Sequence, residues 1–434
     1  MTIIDDTSES VETKSPSSPT GLAAWSLVAA FGTYFCMYAF RKPYTAAAFA
    51  GVSLWGIEAK TLLVTSQVLG YTLAKLVGIR VIAETPANRR AVGILILIGV
   101  AELALLAFGV SPGQIRPIWM FLNGLALGMV FGLVIGFLEG RRVTEALTAG
   151  LCASFILADG VTKSVGTWFL DLGVSENWMP GVTGLAFLPP LLTFTWMLSR
   201  IPPPNRDDVA MRSERRAMSR EDQFSLVRRY GVGLFLLVLV YFLVTIARSI
   251  RADFAPEIWR GLGVTAVPST FANSEILVAL VVLVANGLSI LIVDNRRAFF
   301  ASIGVSMAGG VLMLAALAGL SGSRIDGFTF MVLVGTGLYL PYVAIHTTLF
   351  ERLIAMTRER GNLGFLMYIA DSAGYVGYAV LMVARSSLPS GPNFLDFFKL
   401  TCGVIGGMTC LSLLIGLWFF ARPGWSAVRP EDRS

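Results

Sequence analysis

Two arginines lie inside long apolar segments, where a charged side chain is energetically unfavourable. Arg41 lies in the first such segment and Arg248 in the seventh, and a tyrosine, Tyr34 or Tyr241, precedes each arginine by seven residues. A charge at the centre of a bilayer costs roughly 2.5–3.5 kcal/mol on insertion scales, so both arginines are candidate functional residues. A guanidinium offers a planar fork of donors that suits carboxylate or phosphate. Two of them facing one cavity would bind a small dianion.

Other polar residues of the apolar segments could belong to the same site. Tyr38 stands one turn before Arg41, and Lys75 of the second segment either adds positive charge or reaches the membrane surface. Asp159 and Lys163 have the i,i+4 spacing of a helical ion pair, which is structural or gating. The remaining candidates for coupling or gating are Glu102, Glu275, His346 and Asp371. The acids could be counter-ions of the arginines, one of them could bind a proton, or they could be packing partners. The histidine either takes part in proton coupling or is a hydrogen-bonded helix residue.

Composition excludes several classes of protein. The single histidine rules out a histidine metal cluster and disfavours a Ser/His/Asp triad. The cysteines lie in apolar stretches without CxxC spacing, which excludes a disulfide framework or a zinc knuckle: they are Cys36, Cys152, Cys402 and Cys410. A GxxxxGK[ST] motif is absent, so no ATP is implied. We therefore expect no metal, no cofactor and no enzymatic activity.

The elements that must position these residues are membrane-spanning helices. The chain of 434 residues is 55% hydrophobic and 14% charged, against about 25% charged in soluble proteins. Its apolar runs, each long enough to cross a bilayer, fall at 22–54, 59–80, 91–110, 117–139, 144–171, 179–199, 231–252, 270–293, 298–320, 327–350, 362–384 and 398–421. The sequence predicts an all-α integral membrane protein with two pseudo-symmetric six-helix bundles. Their predicted limits are 21–199 and 230–422, with a linker at 200–229, a disordered tail at 1–20 and a second tail at 423–434.

The distribution of positive charge predicts the topology. Eighteen arginines fall in the loops that follow even-numbered segments, including eight in the central linker, whereas six Lys and Arg residues fall in the alternate loops. Because Lys and Arg of short loops stay in the cytoplasm, both termini and the linker are expected there, in a multi-pass protein of the inner membrane. The net charge of +6 follows from this asymmetry and does not indicate nucleic-acid binding. The bilayer is the expected partner, and a monomer is expected.

Two six-helix halves joined by a long basic loop resemble the layout of major facilitator transporters, which bind substrate between the halves. Short motifs resemble the organophosphate:phosphate antiporters of that superfamily. These are Tyr38-Ala-Phe-Arg41-Lys42, Gly70-Tyr71-x-x-Ala74-Lys75, Arg248 followed by Asp253, Phe254 and Pro256, Gly335-x-x-x-Tyr339-x-Pro341, Gly361-x-x-Gly364-Phe365 and Gly374-Tyr375-Val376-Gly377. One departure is in the fifth segment, where the family has a histidine-asparagine pair and this sequence has Ala158-Asp159-Gly160.

The resemblance implies secondary transport of a small phosphorylated or carboxylated anion by alternating access, with antiport of phosphate as one mode. The family's first-segment arginine, Arg41 here, would hold phosphate, Arg248 would hold it from the other half, and Lys75 would attract it. A membrane sensor of an anionic ligand on the same scaffold is the alternative. A membrane-embedded lipid transferase, with Asp159 or Glu102 as its acid, leaves the two paired halves unexplained.

Overall fold

The structure is a computed structural model that describes residues 19–138, 144–202, 220–265, 267–357, 363–386 and 393–422. The predicted C-terminal tail, most of the N-terminal tail and residues 203–219 of the predicted linker lie outside these ranges.

Six membrane-spanning segments form the N-terminal bundle. They are built from α1 Pro19–Met37, α2 Ala59–Glu84, α3 Ala87–Val110, α4 Arg116–Leu127, α5 Val130–Leu138, α6 Thr144–Asp171 and α7 Met179–Ser199. α4 and α5 belong to one span. Short 3-10 turns cover Tyr38–Phe40, Pro43–Ala46 and Gly113–Ile115, and a hairpin pairs β1 (Ser53–Leu54) with β2 (Ile57–Glu58).

The C-terminal bundle has the same number of spans. Its elements are α8 Arg220–Asp253, α9 Ala255–Gly261, α10 Pro268–Ile290, α11 Asn295–Ser321, α12 Gly327–Ala344, a π-helical turn at Ile345–Leu349, α13 Phe350–Thr357, α14 Leu363–Ser386 and α15 Phe394–Ala421. The span that begins with α12 continues into α13. α8 begins at Arg220, so helix starts before the end of the predicted linker.

Among the described residues, nine helices are long and apolar enough to cross a membrane. The three other long helices, α2, α6 and α14, contain 26, 28 and 24 residues and bear buried charges inside their length. Together the twelve spans form an all-α membrane protein with the predicted two bundles.

The two bundles meet along two helix pairs, α2 with α14 and α6 with α10. At Gly160 of α6 an added Cβ would lie 2.6 Å from the carbonyl oxygen of Phe271 and 2.7 Å from Cβ of Glu275. Only glycine allows the backbones to approach this closely, as small residues do at membrane helix contacts. The two bundles therefore meet at two helix contacts, and the α6–α10 contact is closely packed.

The first predicted span, 22–54, is wrong at its end. α1 stops at Met37, and Arg41 and Lys42 lie in an irregular break between two 3-10 turns. Pro43 follows the two charges, has no N–H to donate and begins the second turn, so the helix does not run through them. The charges thus follow α1 instead of interrupting it.

Candidate functional site

Two small, adjoining cavities lie between the bundles. Both are lined by Arg41 of the N-terminal bundle and Arg248 of the C-terminal bundle. The other residues that line both are aromatic: Tyr38, Phe155 and Tyr375. The structure therefore brings together the two arginines that the sequence analysis put forward, one from each bundle.

Two buried amides hold the break in which Arg41 lies. Nε2 of Gln67 donates to the carbonyl oxygen of Arg41 at 3.0 Å, and Nδ2 of Asn123 donates to that of Phe40 at 3.0 Å. The amides also bond to each other at 2.8 Å, and the Tyr44 hydroxyl donates to Gln67 at 3.1 Å. Carbonyls that a continuous helix would satisfy thus find partners in side chains of α2 and α4. The position of Arg41 depends on these amides.

Arg248 is placed by a continuous helix and by tyrosines. It lies within α8, and its guanidinium carbon is 4.4 Å from the ring centre of Tyr342 and 5.9 Å from that of Tyr339, both of α12. One terminal nitrogen donates to the hydroxyl of Tyr375 at 3.3 Å. The guanidinium carbon of Arg41 similarly lies 3.9 Å from the ring centre of Tyr71. Aromatic faces stabilise both cations without neutralising their charge.

One donor of each guanidinium lacks an acceptor among the described residues. Nε of Arg41 and Nε of Arg248 are both buried and have no hydrogen-bond partner among the described residues. Arg41 and Arg248 are 4% and 7% exposed. Buried donors without acceptors are unfavourable, and more so when they are charged. The arrangement is suited to an anion that would supply the missing acceptors.

On one side of the arginines a layer of ion pairs, here called the α9 layer, joins the bundles. Lys42 pairs with Asp253, whose second oxygen accepts from the hydroxyl of Tyr378 at 2.9 Å. Lys60 donates to both oxygens of Glu257 at 2.7 and 2.9 Å. The layer is completed by a longer pair between Arg385 and Glu58 at 3.6 Å. These pairs close the bundle interface beside α9.

A second contact between the bundles lies on the other side of the arginines. Lys75 of α2 pairs with Asp371 of α14, whose other oxygen accepts from the hydroxyl of Tyr241 at 2.9 Å. Along α14, Asp371, Tyr375 and Tyr378 follow at intervals of one turn. The two closures are therefore separated by about 10 Å of helix, with the arginine layer between them.

The predicted α6 pair is present and faces the bundle seam. Nζ of Lys163 lies 2.5 Å from Asp159 and also donates to the carbonyl oxygen of Ala252. The nearby Glu275 pairs with Arg251 at 2.7 Å, so it is not a counter-ion of the two arginines of the cavities. Asp371 likewise pairs with a lysine. These charges neutralise one another beside the cavity wall.

The four remaining predicted site residues lie around or outside the cavities. The ring of Tyr241 stacks on Tyr342, and its hydroxyl donates to Asp371. Tyr34 lines one cavity but packs on Tyr38 and Phe131. His346 lies in the π-helical turn, stacked on Tyr342 at 5.9 Å, and lines the same cavity. Glu102 lies outside both cavities.

Several contacts were missed by the reasoning from sequence. Tyr71, Tyr342 and Tyr375 contact the arginines from segments distant in sequence. Tyr71 and Tyr375 stand in motifs that carried the family resemblance, and Tyr342 directly follows another. Lys42 follows Arg41 directly, and its partner is Asp253, which follows Arg248 by five residues. The signal for this pair was a charge at the end of each arginine-bearing segment.

Comparison with known proteins identifies the family and the fold of this chain. A family model described as a family of unknown function (DUF5690) matches residues 43–423. The chain belongs to this family. No curated protein matches it by sequence.

Several solved structures that are similar to this DUF5690 chain are membrane transporters. A crystal structure of a D-xylose-proton symporter matches with a TM-score of 0.64 at 14% identity, over 95% of this chain and 100% of that chain. A nucleoside transporter, NupG, matches with a TM-score of 0.59 at 14% identity, over 93% and 100%. A partially occluded inward-open structure of the xylose transporter XylE from E. coli matches with a TM-score of 0.58 at 14% identity, over 93% and 98%. The chain has the major facilitator fold.

Proposed function

We propose that this protein is a secondary active transporter of a small anion, which binds between Arg41 and Arg248. The main support is that the two bundles each supply one buried guanidinium to the same cavities, and that both Nε donors lack acceptors among the described residues. The other cations lining the cavities, Lys42 and Lys75, have carboxylate partners. Two positive charges therefore remain, and one dianion would neutralise them.

The two ion-pair closures support alternating access. The α9 layer and the Lys75–Asp371 pair both join the bundles, on opposite sides of the arginine layer. Opening one while the other stays closed would expose the anion to one side of the membrane at a time. The positive-charge pattern of the loops favours an extracytoplasmic position for the α9 layer. The shared fold of known symporters and transporters is consistent with this mechanism.

Phosphate esters and dicarboxylates are the first substrates to test. The cavities are small and rich in tyrosine, and an arginine fork suits both phosphate and carboxylate. The resemblance to organophosphate:phosphate antiporters favours phosphate esters and an exchange with inorganic phosphate. The proposal involves no metal and no cofactor.

The test begins with binding. The purified protein is heated with sulfate, inorganic phosphate, sn-glycerol 3-phosphate or succinate. A ligand that binds only the folded state stabilises it by RT ln(1 + [L]/Kd) and so raises the melting temperature. Proteoliposomes loaded with the stabilising anion are then assayed for counterflow of the labelled anion. We expect stabilisation and counterflow in the wild type and in the exposed control Arg324→Ala. Arg41→Ala/Arg248→Ala should show neither.

Two other outcomes have defined meanings. Stabilisation without counterflow would contradict transport and favour the sensor. Unchanged counterflow in the double variant would show that the anion site lies elsewhere.

A further inference from the structure

One buried carboxyl group has no role in the cavities or in the ion-pair closures. Glu102 of α3 is 7% exposed, and both of its carboxyl oxygens lack a hydrogen-bond partner among the described residues. No described cation forms an ion pair with it. A carboxylate buried without counter-ion or hydrogen bond is strongly disfavoured, and such a group takes up a proton instead.

The carboxyl group lies in a niche that two glycines of α7 create. An added Cβ at Gly184 would lie 2.1 Å from Oε2 of Glu102 and 3.0 Å from Cδ1 of Phe40. A Cβ at Gly181, one turn earlier, would lie 3.7 Å from Oε1. Even alanine at 184 would collide with the acid. The space between α3, α7 and Phe40 therefore fits this carboxyl group closely.

The niche is connected to the break that holds Arg41. Phe40 precedes Arg41 and contributes a wall of the niche. Nδ2 of Asn123 donates to the carbonyl oxygen of Phe40 at 3.0 Å and to that of Ala101 at 3.1 Å. Ala101 is the residue before Glu102. A displacement of α3 or Phe40 at the niche would thus move the backbone that carries Arg41.

We propose that Glu102 is a proton-binding site that couples proton movement to displacement of the Arg41 break, and hence to the anion cycle. This inference rests on the proposed function. With the proton bound, the neutral carboxyl group packs against Gly184 and Phe40 as the structure shows. When the proton leaves, the carboxylate needs water or a cation, neither of which fits in the closed niche. The helices α3 and α7 must then part from Phe40.

The surrounding ionisable groups do not replace the proton. α7 contains no ionisable residue, and α3 otherwise contains only Arg89 and Arg90, twelve or more residues before Glu102. Arg116 of α4 donates to the carbonyl oxygen of Ser111. The remaining ionisable groups nearby belong to the break and line the cavities instead: Tyr38, Arg41 and Lys42. The proposed site therefore titrates at Glu102 itself, and the closed niche is favoured at low pH.

The main experiment uses full-length protein in proteoliposomes, with valinomycin and potassium to hold the voltage at zero. Labelled sulfate is the probe, since it does not titrate near neutral pH, and labelled phosphate is run in parallel. For one proton per anion, an imposed gradient of one pH unit should change the steady-state anion ratio up to about tenfold. Glu102→Gln, a neutral mimic of the protonated acid, should keep exchange at equal pH and lose the response to the gradient. Glu176→Gln, a matched change outside the niche, should keep both.

The outcomes separate the two proposals. Exchange in the wild type with no effect of the pH gradient would overturn the role of Glu102 and leave the proposed function intact. A retained gradient response in Glu102→Gln would overturn it as well. Absence of exchange for both probes, and also for sn-glycerol 3-phosphate and succinate, would contradict the proposed function instead.

A second readout needs no anion and no transport. Infrared difference spectra of the purified protein between low and high pH should contain the band of a protonated carboxylic acid that is lost as the pH rises. The band should be absent from Glu102→Gln and present in Glu176→Gln. An identical band in Glu102→Gln would contradict the assignment.

Discussion

The two arginines occupy equivalent places in the two bundles but are held by different means. Arg41 lies in a break after α1, where Gln67 and Asn123 bond to the backbone carbonyls. Arg248 lies inside the continuous helix α8 and leans on tyrosines of α12. The C-terminal arginine is therefore fixed by its own helix, and the N-terminal one by its neighbours. This asymmetry predicts that the N-terminal half is the easier one to displace during a transport cycle.

The largest effect should follow from removing both arginines, because this erases the feature that the halves share. Charge-assisted hydrogen bonds contribute about 1.5–3 kcal/mol each, so Arg41→Ala/Arg248→Ala should weaken anion binding by about 100-fold or more. Titration calorimetry with phosphate and sulfate measures this loss. Either single variant should lose less than the double variant. A double variant that binds like the wild type would remove the basis of the comparison.

The next largest effect concerns the pair that ties the two arginine-bearing segments together. Lys42 follows Arg41, and Asp253 lies five residues after Arg248. Breaking a buried ion pair by removing one partner costs about 3–5 kcal/mol, so Lys42→Met or Asp253→Asn should open the α9 layer. A cysteine introduced beside α9 should react faster with a thiol reagent in both variants. The charge-reversed double variant Lys42→Asp/Asp253→Lys should restore slow labelling, and equal labelling in all variants would show that the pair does not close this side.

A smaller effect should distinguish the two modes of support. Asn123→Leu leaves the carbonyl of Phe40 buried without its donor, which costs about 1–3 kcal/mol and should displace Arg41. The anion affinity of Asn123→Leu should fall, while that of the matched C-terminal variant Asn286→Leu stays unchanged. Among the described residues, the Asn286 amide donates only to Val282 of its own helix. Thermal unfolding with and without phosphate separates stability from binding. Equal losses of affinity in both variants would refute the asymmetry.

The smallest effect is expected at Tyr241, which precedes Arg248 by seven residues. Tyr241→Phe removes one hydrogen bond to Asp371, worth about 0.5–1.5 kcal/mol, and leaves the ring stack on Tyr342 in place. Phosphate affinity should change less than about threefold, while opening of the Lys75–Asp371 closure should become easier. A loss as large as that of Arg248→Ala would mean that the tyrosine contacts the anion directly.

Much of the fold follows from the sequence because membrane spans need length and apolarity, both of which are readable. The predicted runs and the observed helices disagree mainly at two places. α1 ends early, where Pro43 was the overlooked signal, and α8 begins at Arg220, inside the predicted linker. Arg41 and Arg248 were predictable because a charge is conspicuous in an apolar segment. The tyrosines that contact them were not predictable, because a tyrosine in a membrane span can have many roles. Pairing of Lys42 with Asp253, or of Lys75 with Asp371, depends on helix packing across the bundles, which periodicity does not reveal.

The most direct test of the shared anion site is a structure of the protein with tungstate, a heavy dianion that is recognisable by its scattering. We predict density between the guanidiniums of Arg41 and Arg248, within hydrogen-bond distance of Nε of both. Density bound by one arginine alone, or outside the two cavities, would contradict the account.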